Sequence, residues 1–94
     1  MIVGTCTIYL SIPSALSLKD KRRVVKSAIA RVRNRFNVSI AEVADNDHWQ
    51  SATIGVACVA NRRERVHTVL ASVVDYVERT RLDAHLVDYE IEIL

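Results

Sequence analysis

Residues 38–60 read VSIAEVADNDHWQSATIGVACVA, and the fold turns on them. Residues 50–60 alternate, with Ala52, Ile54, Val56 and Cys58 on one face, as a half-buried strand requires. Residues 38–44 also read as a strand, but out of phase: Val38 and Ile40 share a parity that Val43 does not. A bulge or an end effect near Glu42 would explain the mismatch. Between them stands Asp45-Asn46-Asp47, whose short polar side chains bond their own backbone and favour a turn. The stretch is a hairpin.

Working outward, a helix stands on each side. Upstream, Ser17 is an N-cap with Asp20 three residues on, a weak capping box. Val25, Ala28, Ile29, Val32 and Phe36 then recur at helical spacing. Downstream, Asn61 is the expected cap of a second helix, with Glu64 at the capping-box position. Val66, Val69, Leu70, Val73 and Val77 form its stripe. Beyond the helices lie two more strands. In residues 2–12, Ile2, Gly4, Cys6, Ile8, Leu10 and Ile12 lie on one side; Val3, Thr5, Thr7, Tyr9 and Ser11 lie on the other. In residues 84–93, Val87, Tyr89, Ile91 and Ile93 are expected to face in, and Asp88, Glu90 and Glu92 out.

The order is βαββαβ. Two right-handed crossovers interlocked by a hairpin give an α+β, ferredoxin-like two-layer sandwich. The expected antiparallel sheet has spatial order 4-1-3-2, with both helices on one face. The 94 residues form one domain, 1–94, and a half-hydrophobic composition supplies enough apolar area for a core. Two glycines and one proline argue against a linker or a disordered tail. Cys6 and Cys58 stand apart in apolar runs with no zinc spacing, as buried thiols of a reducing compartment would. No apolar run approaches the ~20 residues of a membrane span. The expected location is cytoplasmic.

Charge is segregated along the chain. Residues 17–36, SLKDKRRVVKSAIARVRNRF, hold eight of the 13 Lys and Arg residues and one acid, Asp20. The remainder holds five cations and ten acids. At about 100° per residue, Lys19, Arg22, Lys26 and Arg33 fall on one flank of the first helix, in a line roughly 20 Å long. Arg23 extends it outward, and Arg31 and Arg35 lie on the other flank. Two readings compete. These are solubilising charges whose stems cover the core edge, or they form a surface for polyanions. The second gains from the lack of interleaved acids and from Lys19 and Lys21, which oppose the helix dipole in the first turn. If the antiparallel helices set Arg31, Arg33 and Arg35 beside Arg62, Arg63 and Arg65, six arginines gather at one end.

Four blocks carry a family likeness: SLKDKRRVVKS, RNRFNVSIAEV, DHWQSATIGVA and DYEIEIL. Together they resemble the YlxP-like family of bacterial domains of unknown function. That resemblance implies a small ferredoxin-like domain. In several bacteria its gene lies beside those for transcription, translation-initiation and ribosome-maturation factors, an association that points to RNA or the ribosome as a partner. It supplies no catalytic residues.

The expected function is therefore a non-enzymatic factor that binds structured RNA, ribosomal or otherwise. Lys19, Arg22, Lys26 and Arg33 would make the main phosphate contacts, flanked by Arg23, Arg62 and Arg63. The open sheet face offers one aromatic, Tyr9, and no cation, while Asp88, Glu90 and Glu92 would repel phosphates. Base stacking across the sheet is not expected. The alternative is a homodimeric protein-interaction module. It would use the small, mildly apolar sheet centre near Tyr9, the acidic strand at Glu90, or the Trp49 hairpin, although packing at the hairpin base is the plainer role for Trp49. His48 beside Asp45 and Asp47 is turn chemistry before it is a metal site. His67 and His85 have no nucleophile to serve. No catalytic motif, metal site or cofactor is expected.

Overall fold

A computed structural model describes residues 1–80 and 83–94. The elements are β1 (Ile2–Ser11), α1 (Leu18–Arg35), β2 (Ser39–Ala44), β3 (Ser51–Ala60), α2 (Arg63–Arg79) and β4 (His85–Ile93). One antiparallel sheet has the order β2-β3-β1-β4. This is the expected ferredoxin-like arrangement. Ile8, Leu10, Ile40 and Ile54 of the sheet meet Ala28, Ile29 and Val32 of α1 and Val77 of α2, so both helices cover the same face. α1 lies over β2, and α2 spans β1, β3 and β4. The core of Cys6, Ile8, Leu10, Ile12, Val56, Val66, Leu70 and Val73 fills the space between the layers.

Local chemistry explains the element ends. Ser17 is the N-cap of α1, and its hydroxyl accepts from Asp20 N at 3.1 Å. Asp20 Oδ2 reaches back to Leu16 N at 3.0 Å, one residue beyond the usual capping-box partner. The register of β2 on β3 shifts between Glu42 and Ala44, so Val43 is the bulged residue that the broken phase implied. Asp45 closes the turn with φ 60°, a left-handed conformation that Asp tolerates better than most residues.

Two local expectations are corrected. The N-cap of α2 is Arg62, not Asn61, and no side chain caps it. Glu64 makes no capping box; it lies 3.9 Å from the Arg62 guanidinium, both of them exposed. In β4 the inward face is Leu86, Tyr89, Ile91 and Ile93. Tyr9 pairs with Asp88 but Leu10 pairs with Leu86, so Val87 is squeezed out and exposed. The alternation of acids from Asp88 onward assigns Val87 to the core by parity, and an irregularity in the ladder reverses it. Tyr89, although opposite Ile8, remains largely exposed at the sheet edge.

Both cysteines are free and buried. Burial raises the Cys6 thiol from its ordinary 9.0 to about 11 and raises Cys58 in the same direction. The unfolded thiol then ionises before the folded one, so the folded state holds the extra proton between pH 9 and about 11. Stability falls as pH rises through that window. At pH 8 a thiol reagent should label folded protein orders of magnitude more slowly than urea-unfolded protein. Labelling of native protein at the unfolded rate would contradict this burial.

Candidate nucleic-acid interface

α1 is held in place by a charge that the sequence presents as one of the surface set. Lys21 is fully buried. Its Nζ lies 2.8 Å from Glu42 Oε2 on β2 and donates to the Asp45 carbonyl at the hairpin turn. The expectation that Lys21 stands unpaired against the helix dipole is thus overturned. Two signals mark it: Lys21 falls inside the Val25–Val32 stripe of the helix, and Glu42 shares the inward parity of Ile40. Only the packing of α1 on β2 shows that the two charges meet.

With Lys21 removed, the surface set becomes sharper. Lys19, Arg22, Arg23 and Lys26 are exposed, and among the described residues no acid lies within ion-pair distance of any of them. Arg33 is exposed as well, but its Nη2 donates to the Ile40 carbonyl at 3.2 Å. That bond shows which way the flank faces: the row of Lys19, Arg22, Lys26 and Arg33 overhangs β2, an edge strand. A helix therefore presents Lys19, Arg22 and Lys26 about one turn apart, with Arg33 two turns further on, as a row of cations roughly 20 Å long.

The six-arginine cluster does not form. The end of α1 lies beside the C-terminal half of α2. Phe36 meets Tyr76 edge-on with ring centroids 5.7 Å apart, and the Arg35 guanidinium sits 5.0 Å from the Tyr76 ring centre. Arg62 and Arg63 begin the same helix some 20 Å away along its axis. α1 thus ends against the C-terminal half of α2, beside Ser72, Tyr76 and Arg79, and stops short of the start of that helix. Arg62 and Arg63 form a separate exposed pair.

The acids take the opposite corner. Registers place Asp88, Glu90 and Glu92 on the open sheet face with Tyr9, Thr7 and Thr5 as their partners. That face continues through Val3, Gly55, Ala57 and Val59. Its cations are on the other layer, so the molecule has a basic helical edge over β2 and an acidic sheet edge at β4. Trp49 is half exposed rather than packed away, and Leu16 beside it is more so. Asp45, read as part of a turn, is committed to structure: Thr53 donates to its Oδ2 at 2.5 Å. His48 lies 4.0 Å from its other oxygen, exposed. His67 and His85 are exposed on α2 and β4. No helix among the described residues is long and apolar enough to cross a membrane.

Two comparisons bear on identity. The chain is 40% identical over 73 residues to the uncharacterized protein YlxP of Bacillus subtilis (strain 168), a match covering 78% of this chain and 75% of that protein. The profile described as "Protein of unknown function (DUF503)" matches residues 3–91, nearly the whole of the βαββαβ unit, and the chain belongs to that family.

Proposed function

We propose that the protein is a non-enzymatic factor of the cytoplasm that binds structured RNA, ribosomal RNA among the candidates, through the α1 edge. One observation carries the reading. The cation that faces inward has its own acid, while four of those that face outward, Lys19, Arg22, Arg23 and Lys26, have no acid within ion-pair distance among the described residues. Self-repulsion on one helix is a standing cost, and a polyanion relieves it. Arg33 adds a contact at the far end, and Arg62 and Arg63 lie too far along α2 to share the same phosphate run. The surface has cations and no aromatic side chain along its length, so binding is led by the backbone and senses shape.

The test is the affinity for a structured RNA measured across salt concentrations. Four to five phosphate contacts predict a log–log slope of about −3.6 to −4.5. Arg22→Glu/Lys26→Glu is the informative variant, because neither side chain has a structural partner. It should bind at least about tenfold more weakly and flatten the slope by about 2, with an unchanged melting temperature. Unchanged affinity and slope would sink the proposal.

A second reading has its own observation. Val43, Val59 and Val87 are all exposed by more than half, at 58%, 62% and 66%, on or beside the open sheet face. With Val3, Tyr9 and the small Gly55 and Ala57 they make a surface on which a second copy could stack, Glu90 at its rim. Sedimentation of wild type against Val59→Lys distinguishes it: a dimer lost on substitution supports the stack, and a monomer throughout removes it.

A further inference from the structure

The cationic row on α1 begins three residues after Leu16, which lines a cavity with an aromatic side chain that the phosphate contacts do not use. Trp49 is 54% exposed and Leu16 76%. Together with Ala15, His48, Gln50 and Ser51 they line an open cavity of about 470 Å3. An indole left half in water gives up burial that a small core would normally take, so its position needs a reason.

The hairpin that carries Trp49 shares a frame with the basic row. Gln50 Nε2 donates to the carbonyls of Pro13 at 3.1 Å and Ala15 at 3.3 Å, and Ile12 N donates to Gln50 O at 2.8 Å. These bonds fasten the hairpin to the segment leading into α1. Leu16 N is held by Asp20 of the first helical turn, and Lys21 of the same turn holds the Asp45 carbonyl, which also accepts from His48 N at 3.0 Å. Lys19 follows Leu16 by three residues. Trp49 and the start of the cationic row thus occupy one end of the molecule, and neither can move far without the other.

We infer that Trp49 is a stacking platform for an unpaired base, so that the RNA selected is a duplex with a bulged or flipped-out nucleotide next to the phosphates held by Lys19, Arg22 and Lys26. This rests on the reading of α1 as an RNA-binding edge. The apolar patch is two side chains wide, too small for the buried centre of a protein interface and the right size for one base face. The cavity is roomy enough for a base, and His48 offers a polar group at its rim. The cations beside it supply what a neutral protein partner would not need.

Trp49 is the only tryptophan, so its fluorescence reports the contact directly. The experiment titrates the protein with a fully paired RNA duplex and with the same duplex carrying one bulged adenine, following RNA anisotropy and Trp49 emission together. The expected result is binding about tenfold tighter to the bulged duplex, with Trp49 quenched by that RNA alone. Trp49→Ala should abolish the preference and leave the paired duplex and its salt slope unchanged, while Trp49→Phe keeps part of the preference. Equal affinities with Trp49 emission unmoved would overturn the platform and leave the basic edge standing. Binding of neither RNA would overturn both. Emission that shifts with protein concentration in the absence of RNA would place Trp49 in a protein contact and overturn the platform.

Discussion

Lys21→Ala should destabilise the domain by about 3–5 kcal/mol, the cost of leaving one member of a buried ion pair alone. Lys21 is fully buried and the Glu42 side chain is only 16% exposed. Glu42 Oε2 is shut off from solvent, accepts no well-aligned hydrogen bond, and depends on the ammonium 2.8 Å away. A domain of this size has roughly 5–14 kcal/mol to lose, so the substitution removes a large share of its stability. The loss should appear in urea as a lower midpoint at an unchanged slope. Lys21→Met separates charge from volume: it keeps the stem and should lose almost as much. Lys21→Met/Glu42→Leu should return to within about 1 kcal/mol of wild type, because an apolar pair of similar volume replaces a charged pair at little net cost. A Lys21→Met variant as stable as wild type would show that the ion pair does not hold α1 on β2.

Gly4→Ala is the second large effect, expected at about 2 kcal/mol or more and a melting temperature lower by roughly 10 °C. A methyl group there would stand 2.3 Å from Val66 Cγ1 and 3.1 Å from Leu70 Cδ1, both on α2. Val66 and Leu70 have no exposed surface, and Val66 is branched at Cβ, so it has no free rotamer to take. The helix itself must lift from the sheet. Gly55 gives the contrast. Its methyl would stand 2.8 Å from Val43 Cγ1 on the opposite face of the same sheet. Val43 is the bulged residue of β2 and is exposed, so it can turn away. Gly55→Ala should therefore lie within about 1 kcal/mol of wild type, helped by the lower entropy of the unfolded chain. Equal losses in the two variants would mean that α2 does not approach β1 as closely as Gly4 allows.

Much of the fold was legible because periodicity is a local property. Period two in residues 2–12, 50–60 and 84–93, the broken alternation of 38–44, and period 3.6 after Ser17 and Asn61 specify six elements, and crossover handedness leaves one topology for them. Even the bulge at Val43 showed, as a parity that changed sign within one strand. Where two local signals conflicted, the sequence was silent. Val87 carries the right parity and the right chemistry for the core, yet Leu86 takes the place, because the pairing of β4 with β1 skips a residue between Tyr9 and Leu10. The cap at Asn61 moved to Arg62 for a similar reason: the end of β3 decides where the chain can turn into α2.

The candidate site divides in the same way. Composition and helical spacing by themselves determined that Lys19, Arg22, Lys26 and Arg33 share a flank, since 3.6 residues per turn leaves no freedom once the helix exists. Three things were decided only when the layers came together. Lys21 left the surface set because Glu42 waits on β2 where α1 docks. Arg35 met Tyr76 rather than Arg62 and Arg63, because the angle at which two helices cross is set by how their side-chain ridges interlock, not by the order of the elements. Trp49 came to stand at the head of the cationic row because Gln50 and Lys21 tie the hairpin to the start of α1. Periodicity reports which way a residue faces within its own element; which residue it then meets depends on contacts 20 to 40 positions away, which no local pattern encodes.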